Sequence, residues 1–276
     1  MHTSIEYKPL VSIAVATYNG ECFLREQIDS LLTQTYQNFE IVISDDGSTD
    51  NTQSILEEYT KRDARIKWSK NQKARGFVTN FGEAVQKCLG EIIFLCDQDD
   101  FWYPDKIAKH VAVYKDQNIA WAYNELSVTD DKRNNVGYLT DTMPDYWTRR
   151  NLLYYTWGSC VLGCVTSYRG ELIRNIWPAD IHAPGHDSWI QLAIYPAKAA
   201  YIAEVLQDYR QHADNVVGLR VIPAAERLSV EKKAIADNFA YLKSLINSKK
   251  ISLPKRIFFF ITYYLKVLRQ KYLNYT

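Results

Sequence analysis

Several things are missing from this chain of 276 residues, and each absence removes a class of protein. Cysteine is scarce: Cys22, Cys88, Cys96, Cys160 and Cys164 form no CxxC pair and their number is odd. A disulfide framework and a cysteine-paired structural zinc site are therefore not expected. No run reaches the roughly 18–20 apolar residues needed to span a bilayer. Residues 1–9 lack a basic segment followed by a long apolar one, so no signal peptide is expected and the expected compartment is the reducing cytoplasm. No sign of charge dominates, with 33 basic and 32 acidic side chains and a net charge of +1, so the whole-molecule charge names no nucleic-acid partner. There is no GxxxxGK phosphate loop and no GxGxxG after a strand, which argues against a P-loop NTPase and a dinucleotide-dependent dehydrogenase. Internal repeats and low-complexity tracts are absent. At 47% hydrophobic and 24% charged residues, the composition is that of a globular protein with a real core.

What is present first is an alternation of patterns. Val11-Ser12-Ile13-Ala14-Val15-Ala16 is a β-rich run ending in the turn signal Thr17-Tyr18-Asn19-Gly20. Residues 21–33 read as a helix with Phe23, Ile28, Leu31 and Leu32 near one face. Residues 39–44 (FEIVIS) form a second strand closed by Asp45-Asp46-Gly47-Ser48, and Thr49 or Asp50 is placed to cap a helix running to about Tyr59. A weaker strand is expected over 66–69 and a helix over 77–88. Ile92-Ile93-Phe94-Leu95-Cys96 is apolar throughout, as a strand buried on both faces must be. It ends in Asp97-Gln98-Asp99-Asp100.

This βαβαβαβ order predicts a parallel sheet with helices on both faces. Ligands of such sheets bind beyond the carboxyl ends of the strands, so Thr17-Tyr18-Asn19, Asp45-Asp46 and Asp97/Asp99/Asp100 are expected on one rim. The second half is less regular. Strands are expected over 119–128, 161–168 and 199–209, and a short helix over 187–195. Residues 131–157 form a long connection rich in Asp, Asn, Tyr and Trp, and a loop of that length is more often functional than inert. Two helical stretches, about 224–247 and 254–274, close the chain. The expected division is a domain of residues 1–218 and a helical extension of 219–276.

The acidic run at 97–100 carries the sharpest chemical signal. Three carboxylates within four residues repel one another, and a hard divalent cation such as Mg²⁺ or Mn²⁺, bridging carboxylate to diphosphate, would relieve this. The plain alternative is a solvated turn leading to a helix cap at Pro104-Asp105. A second acidic pair at a neighbouring strand end favours the metal. In Asp45-Asp46-Gly47-Ser48-Thr49-Asp50, turn and cap formation account for Gly47, Ser48 and Asp50 but not for two adjacent acids. A carboxylate there can accept the N3–H of a uracil or thymine ring, with Arg75 adding a contact.

Taken in order, these motifs resemble the inverting glycosyltransferases of family 2, with the GT-A fold: Thr17-Tyr18-Asn19-Gly20, then Asp45 to Asp50, then Asp97-Gln98-Asp99-Asp100 with Phe101-Trp102 and Pro104-Asp105-Lys106. Gly185-His186-Asp187-Ser188-Trp189 looks like the family's catalytic-base segment. Tyr209-Arg210-Gln211-His212 followed by Asn215-Val216-Val217-Gly218 is similar to the end of the domain in rhamnosyltransferase-like members. The likeness covers residues 9–217. It implies a mostly parallel α/β sheet, a nucleoside-diphosphate sugar donor carrying UDP or dTDP (with rhamnose as one candidate sugar), Mn²⁺ or Mg²⁺ as cofactor, and a growing polysaccharide or lipid-linked acceptor.

The resemblance also implies roles. Ala16, Thr17 and Tyr18 would contact the pyrimidine, Asp46 its edge with Arg75 nearby, and Asp97 the ribose hydroxyls. Asp99 would ligate the metal, with His212 as a further ligand, and Asp187 would be the general base. Trp189 is either an acceptor-stacking platform or core, and His186 and Asp187 could also simply cap their helix. A catalytically inactive sugar-nucleotide-binding or assembly module of the same fold is the alternative function. A nucleotidyltransferase is disfavoured because Thr17-Tyr18-Asn19-Gly20-Glu21 is not the glycine-rich basic loop that class needs.

The tail has its own character. From Asn238 to Thr276 there are eight Lys/Arg and no acid, which leaves residues 1–237 with 25 basic and 32 acidic side chains, net −7. On a helix, Lys255, Thr262, Lys266 and Arg269 form one narrow polar stripe, with Phe258, Phe259, Phe260, Ile261, Tyr263, Tyr264 and Leu265 around it. Basic and aromatic residues without acids suit the surface of an anionic membrane, here the inner face of the cell membrane. A helix packed on protein is the plainer reading.

Overall fold

A computed structural model describes residues 7–72, 76–138, 161–177, 185–213 and 215, with a few more between 246 and 261. Arg75, Cys160, most of the long connection, and nearly all of residues 219–276 lie outside the described residues, so the expected extension and its basic stripe do too.

The first half alternates as its periodicity requires. Strand β1 (Val11–Thr17) leads to helix α1 (Leu24–Leu32), β2 (Phe39–Asp45) to α2 (Thr52–Arg62), β3 (Ile66–Lys70) to α3 (Phe77–Lys87), and β4 (Ile92–Cys96) follows. All five residues of β4 are fully buried, because a strand with neighbours on both sides and helices on both faces has no solvent side. Alternate side chains of β1 go to opposite faces of the sheet. Val11, Ile13 and Val15 pack against Leu24, Ile28 and Leu31 of α1 and Ile55, Leu56 and Tyr59 of α2. Ala14 points to the other layer, with Val78, Phe81 and Val85 of α3.

Beyond β4 come β5 (Phe101–Trp102), α4 (Lys106–Val113), β6 (Trp121–Thr129), β7 (Asn135–Tyr138), a 3₁₀ turn at Gly163–Val165, β8 (Thr166–Arg169), α5 (Gly170–Ile176), α6 (His186–Ile194) and β9 (Ala199–Arg210). The described sheet runs β3-β2-β1-β4-β8-β6-β9-β5, with β7 beside β6. β1 pairs in parallel with β2 and β4, and β2 with β3. β8 then lies antiparallel to both β4 and β6, while β6 and β9 are parallel. The parallel expectation thus holds for the first four strands, and the sheet is mixed beyond them.

The strand expected over 161–168 begins only at Thr166, because residues 163–165 coil into the 3₁₀ turn. Apolarity alone does not distinguish a buried turn from a buried strand. The short β5 and the hairpin strand β7 had no period-2 signal long enough to find. The register that positions the site is simple: Thr17 lies beside Asp45, and Val15 beside Cys96. The carboxyl ends of β1, β2 and β4 therefore share a rim.

Candidate active site

The turn after β2 is built by Asp45, which is fully buried. Its Oδ2 accepts the N–H groups of Gly47 at 3.1 Å and Ser48 at 3.0 Å and the Gln53 amide at 2.9 Å. Its Oδ1 accepts the hydroxyls of Ser48 and, at 3.2 Å, Thr17. A carboxylate has about four lone-pair sites, so Asp45 is saturated and its work is to hold the loop. Asp46 is different. Its Oδ1 takes the Asn71 side-chain amide and its Oδ2 the Gly76 N–H, each at 2.8 Å. These described partners occupy about half its acceptor capacity.

Thr17 is 1% exposed and turned into the Asp45 cage, whereas Tyr18 is 48% exposed. The Tyr18 backbone is clamped by Gln98, which accepts its N–H at 2.9 Å and donates to its C=O at 3.1 Å. Asn19 takes a left-handed φ of 48°, which Asn tolerates better than most residues. Its Oδ1 accepts the Thr49 N–H at 2.9 Å, locking the first turn to the second.

The acidic run is drawn to the far end of β9 by the β5–β9 ladder, which sets Phe101 beside Asp208 and Trp102 beside Gln207. Asp100, fully buried, accepts the Gln207 amide at 3.0 Å and the Arg210 N–H at 3.4 Å. This zipper brings together two residues 113 positions apart: His212 Nε2 lies 2.9 Å from Asp99 Oδ2. The His212 ring is held against Phe23, at 4.7 Å between centroids. Arg210 covers the other part of that ring system, 4.6 Å over Phe23, and is paired with Glu26. The charge of Glu26 is further shared with Arg133, which also binds Asp208 at 2.8 Å.

Under the acidic run sits Lys106, fully buried and 3.8 Å over the Trp102 ring. It donates to the Cys164 carbonyl at 2.8 Å and to Gln207. Burial pushes its proton affinity down and that of Asp100 up.

Burial, then the charges of Asp100 and Asp99, push Asp97 well above the ordinary carboxylate range. Carboxyl oxygens of Asp97 and Asp100 and the Cys164 sulfur lie within 4.8 Å of one another. Of these, Asp100 is spent on Gln207 and Arg210, and burial raises the Cys164 thiol far above its usual value. Asp99 and His212 supply oxygen and imidazole donors beside an acid that lacks enough countercharge. A divalent cation would fit that donor set.

On the other side of the cleft, α6 begins at His186 with Asp187 in its first turn. Asp187 Oδ2 accepts the Gly163 N–H at 3.1 Å, and Oδ1 lies 3.0 Å from His186 Nε2. Burial alone would raise the Asp187 carboxyl, but the His186 charge and the Gly163 N–H outweigh it and hold it below its usual value. The charges of His186 and Asp187 both act on Asp97, so the expected base segment lies within electrostatic reach of the acidic run.

Trp189 is 1% exposed, and its indole N–H binds the Ile176 carbonyl at 3.2 Å. This is the core reading of Trp189, and its ring offers no open platform for an acceptor. Gly163 and Gln207 were not singled out by sequence reasoning. His186 and Arg210 entered it only through the motifs around Asp187 and His212, His186 as a possible helix cap.

Residues 12–177 match the profile of glycosyl transferase family 2. The chain belongs to that family. It is a glycosyltransferase with a mixed GT-A sheet. Its relatives include the UDP-Glc:alpha-D-GlcNAc-diphosphoundecaprenol beta-1,3-glucosyltransferase WfaP of Escherichia coli, 33% identical over 208 residues that cover 75% of this chain and 79% of WfaP. Among solved structures, S. aureus TarS 1–349 in complex with UDP-GlcNAc superposes with a TM-score of 0.63 at 17% identity, over 93% of this chain and 72% of that one. The mannosyltransferase PcManGT of Pyrobaculum calidifontis, in complex with GDP-Man and Mn²⁺, gives 0.58 at 18% identity, over 94% and 70%. At such identities the two structures attest the fold of this family 2 chain.

Proposed function

We propose that this glycosyltransferase moves a sugar, with inversion, from a nucleoside-diphosphate donor to a hydroxyl of a lipid-linked or polysaccharide acceptor. The observation that carries the reading is the juxtaposition of Asp99 and His212 at 2.9 Å on the rim that also holds Asp46, with Asp187 close enough to act on Asp97. Asp46 receives the pyrimidine edge through its remaining lone pairs, Ala16 and the exposed Tyr18 contact the ring, and Asp97 takes the ribose hydroxyls. Arg75 is kept beside the base.

Asp99 and His212 would hold a divalent cation such as Mn²⁺ or Mg²⁺, and its chemistry there would be charge stabilisation of the departing diphosphate. Asp187 takes the proton of the attacking hydroxyl, whose own acidity is far too weak to ionise at neutral pH. The hydroxyl oxygen forms the new bond to the anomeric carbon as the bond to the diphosphate breaks, so no carboxylate nucleophile is required.

UDP leads as the donor nucleotide because the WfaP name specifies UDP-Glc and TarS binds UDP-GlcNAc. dTDP presents the same N3–H edge, and dTDP-rhamnose is the second candidate. The diphosphoundecaprenol acceptor in the WfaP name supports a lipid-linked acceptor. A seat on the inner face of the membrane fits that acceptor and the basic tail. Leu253, Ile257 and Ile261 there are 64%, 53% and 52% exposed at helical spacing. No helix among the described residues is long and apolar enough to cross a membrane.

A thermal-shift screen of UDP, dTDP and GDP sugars with and without Mn²⁺ tests the reading. A UDP or dTDP sugar should raise the melting temperature, and more so with Mn²⁺. A response to GDP sugars alone, or none that depends on metal, would refute it.

A further inference from the structure

The Asp187 carboxylate does not stand alone. Its two oxygens are taken by partners from different chain segments, Gly163 ahead of β8 and His186 at the start of α6. His186 is 7% exposed and its ring lies against Phe81 at 4.2 Å, with Phe77 edge-on at 6.0 Å. Its Nε2 approaches Asp187 Oδ1 to 3.0 Å but off the line of a hydrogen bond, so the contact is charge against charge. Among the described residues neither ring nitrogen has a hydrogen-bond partner. A buried imidazole without partners costs free energy unless its charge is used.

Gly163 is shaped around this pair. A Cβ there would stand 2.5 Å from His186 Nε2 and 3.4 Å from Asp187 Oδ1. Its backbone is not in the left-handed region, so glycine is required by the closeness of the His186 ring and not by its own conformation.

We propose that His186 and Gly163 are positioning residues for the general base, holding the Asp187 carboxylate from both sides and keeping it ionised in a buried, acid-rich cleft. The inference rests on Asp187 being the base. Its physical need is plain: desolvation favours a protonated, and therefore useless, Asp187, and among the described residues His186 is the cation set directly against it. The other titratable group facing this pair is the Cys164 thiol, which burial keeps neutral.

Transfer is measured as a function of pH for the full chain with a UDP-sugar and Mn²⁺, comparing wild type with His186→Gln, Gly163→Ala and Asp187→Asn. His186→Gln should lower kcat about 10- to 100-fold with donor KM changed less than about threefold, and should move the acidic limb of the pH–rate profile to higher pH, because the base ionises less readily. Gly163→Ala, which displaces the ring without removing it, should move the limb the same way and serves if His186→Gln does not fold. A purely structural role would lower the melting temperature and leave the limb where it is. If Asp187→Asn is inactive while the other two keep the wild-type limb and kcat, the positioning role is wrong and the base stands. If Asp187→Asn turns over normally, the base assignment falls and this inference with it.

Discussion

The proposed nucleotide half and the proposed acceptor half of the site are built in opposite ways. In the first, the described candidates sit at the ends of the parallel strands and are held by the loops that follow those same strands: Asp45 by Gly47 and Ser48, Asp46 by Asn71 and Gly76, Asn19 by Thr49. In the second, the holding groups come from elements outside the four parallel strands. Gly163 reaches Asp187, His212 reaches Asp99, and Asp100 is fixed by Gln207 and Arg210. A parallel sheet delivers its strand ends to one rim by topology alone. The acceptor side has no such rule and depends on how β8, α6 and β9 pack.

That contrast can be broken at Asp99, which belongs to the first half by sequence and to the second by contact. Asp99→Ala should reduce transfer by about 10³-fold or more, the loss of several kcal/mol of charge stabilisation, and should uncouple nucleotide binding from Mn²⁺ in calorimetry. Retained metal coupling would move the ligand role to the Asp97, Asp100 and Cys164 cluster. Asp187→Asn separates the halves cleanly. Transfer should fall by about 10²- to 10⁴-fold, while UDP binding measured by the same calorimetry stays within a few-fold of wild type.

Trp189→Phe tests whether this part of α6 serves the acceptor or the core. The lost indole hydrogen bond and volume should cost about 1–3 kcal/mol in denaturant unfolding, with acceptor KM unmoved. A raised acceptor KM at unchanged stability would restore Trp189 to the binding surface.

The joint between the halves supplies the smallest effect. His110 on α4 is buried between Ser167 of β8, 2.7 Å from Nδ1, and Asn124 of β6, 3.0 Å from Nε2. Burial, with the charge of Lys106 added, drives its pKa down to about 3. The unfolded chain takes up the proton near pH 6.5 and the folded one far lower, so its contribution to stability is complete above about pH 6.5 and is lost as pH falls towards 3. Over the first 1.5 pH units the loss is about 2 kcal/mol. Urea unfolding of wild type and His110→Gln at several pH values should show a shallower slope in the variant; equal slopes would mean His110 does not titrate this way.

Legibility divides along the same line. Residues 92–96 are β4 because five apolar residues bounded by polar turns leave little else. The pattern of the first half carries its strands and helices to within a few residues. The strand expected from 161 failed because residues 163–165 form a buried 3₁₀ turn, and that turn presents the Gly163 N–H to Asp187. Asp187 and His212 were found through family motifs. Gly163 had no signal, since the reason for glycine is a ring 23 positions away. Trp189 had one of its two readings removed by burial.

By itself, the order of residues determined the strand–helix alternation, the acidic strand ends and the family, because hydrophobic period and turn chemistry act over a few residues. Tertiary structure alone decided that Asp99 meets His212, that Asp187 is gripped by Gly163 and His186, and that Asp45 and Asp100 are spent on the fold. Those outcomes depend on which distant groups share a buried space, and there the competition between desolvation and charge is settled by neighbours that no local pattern names.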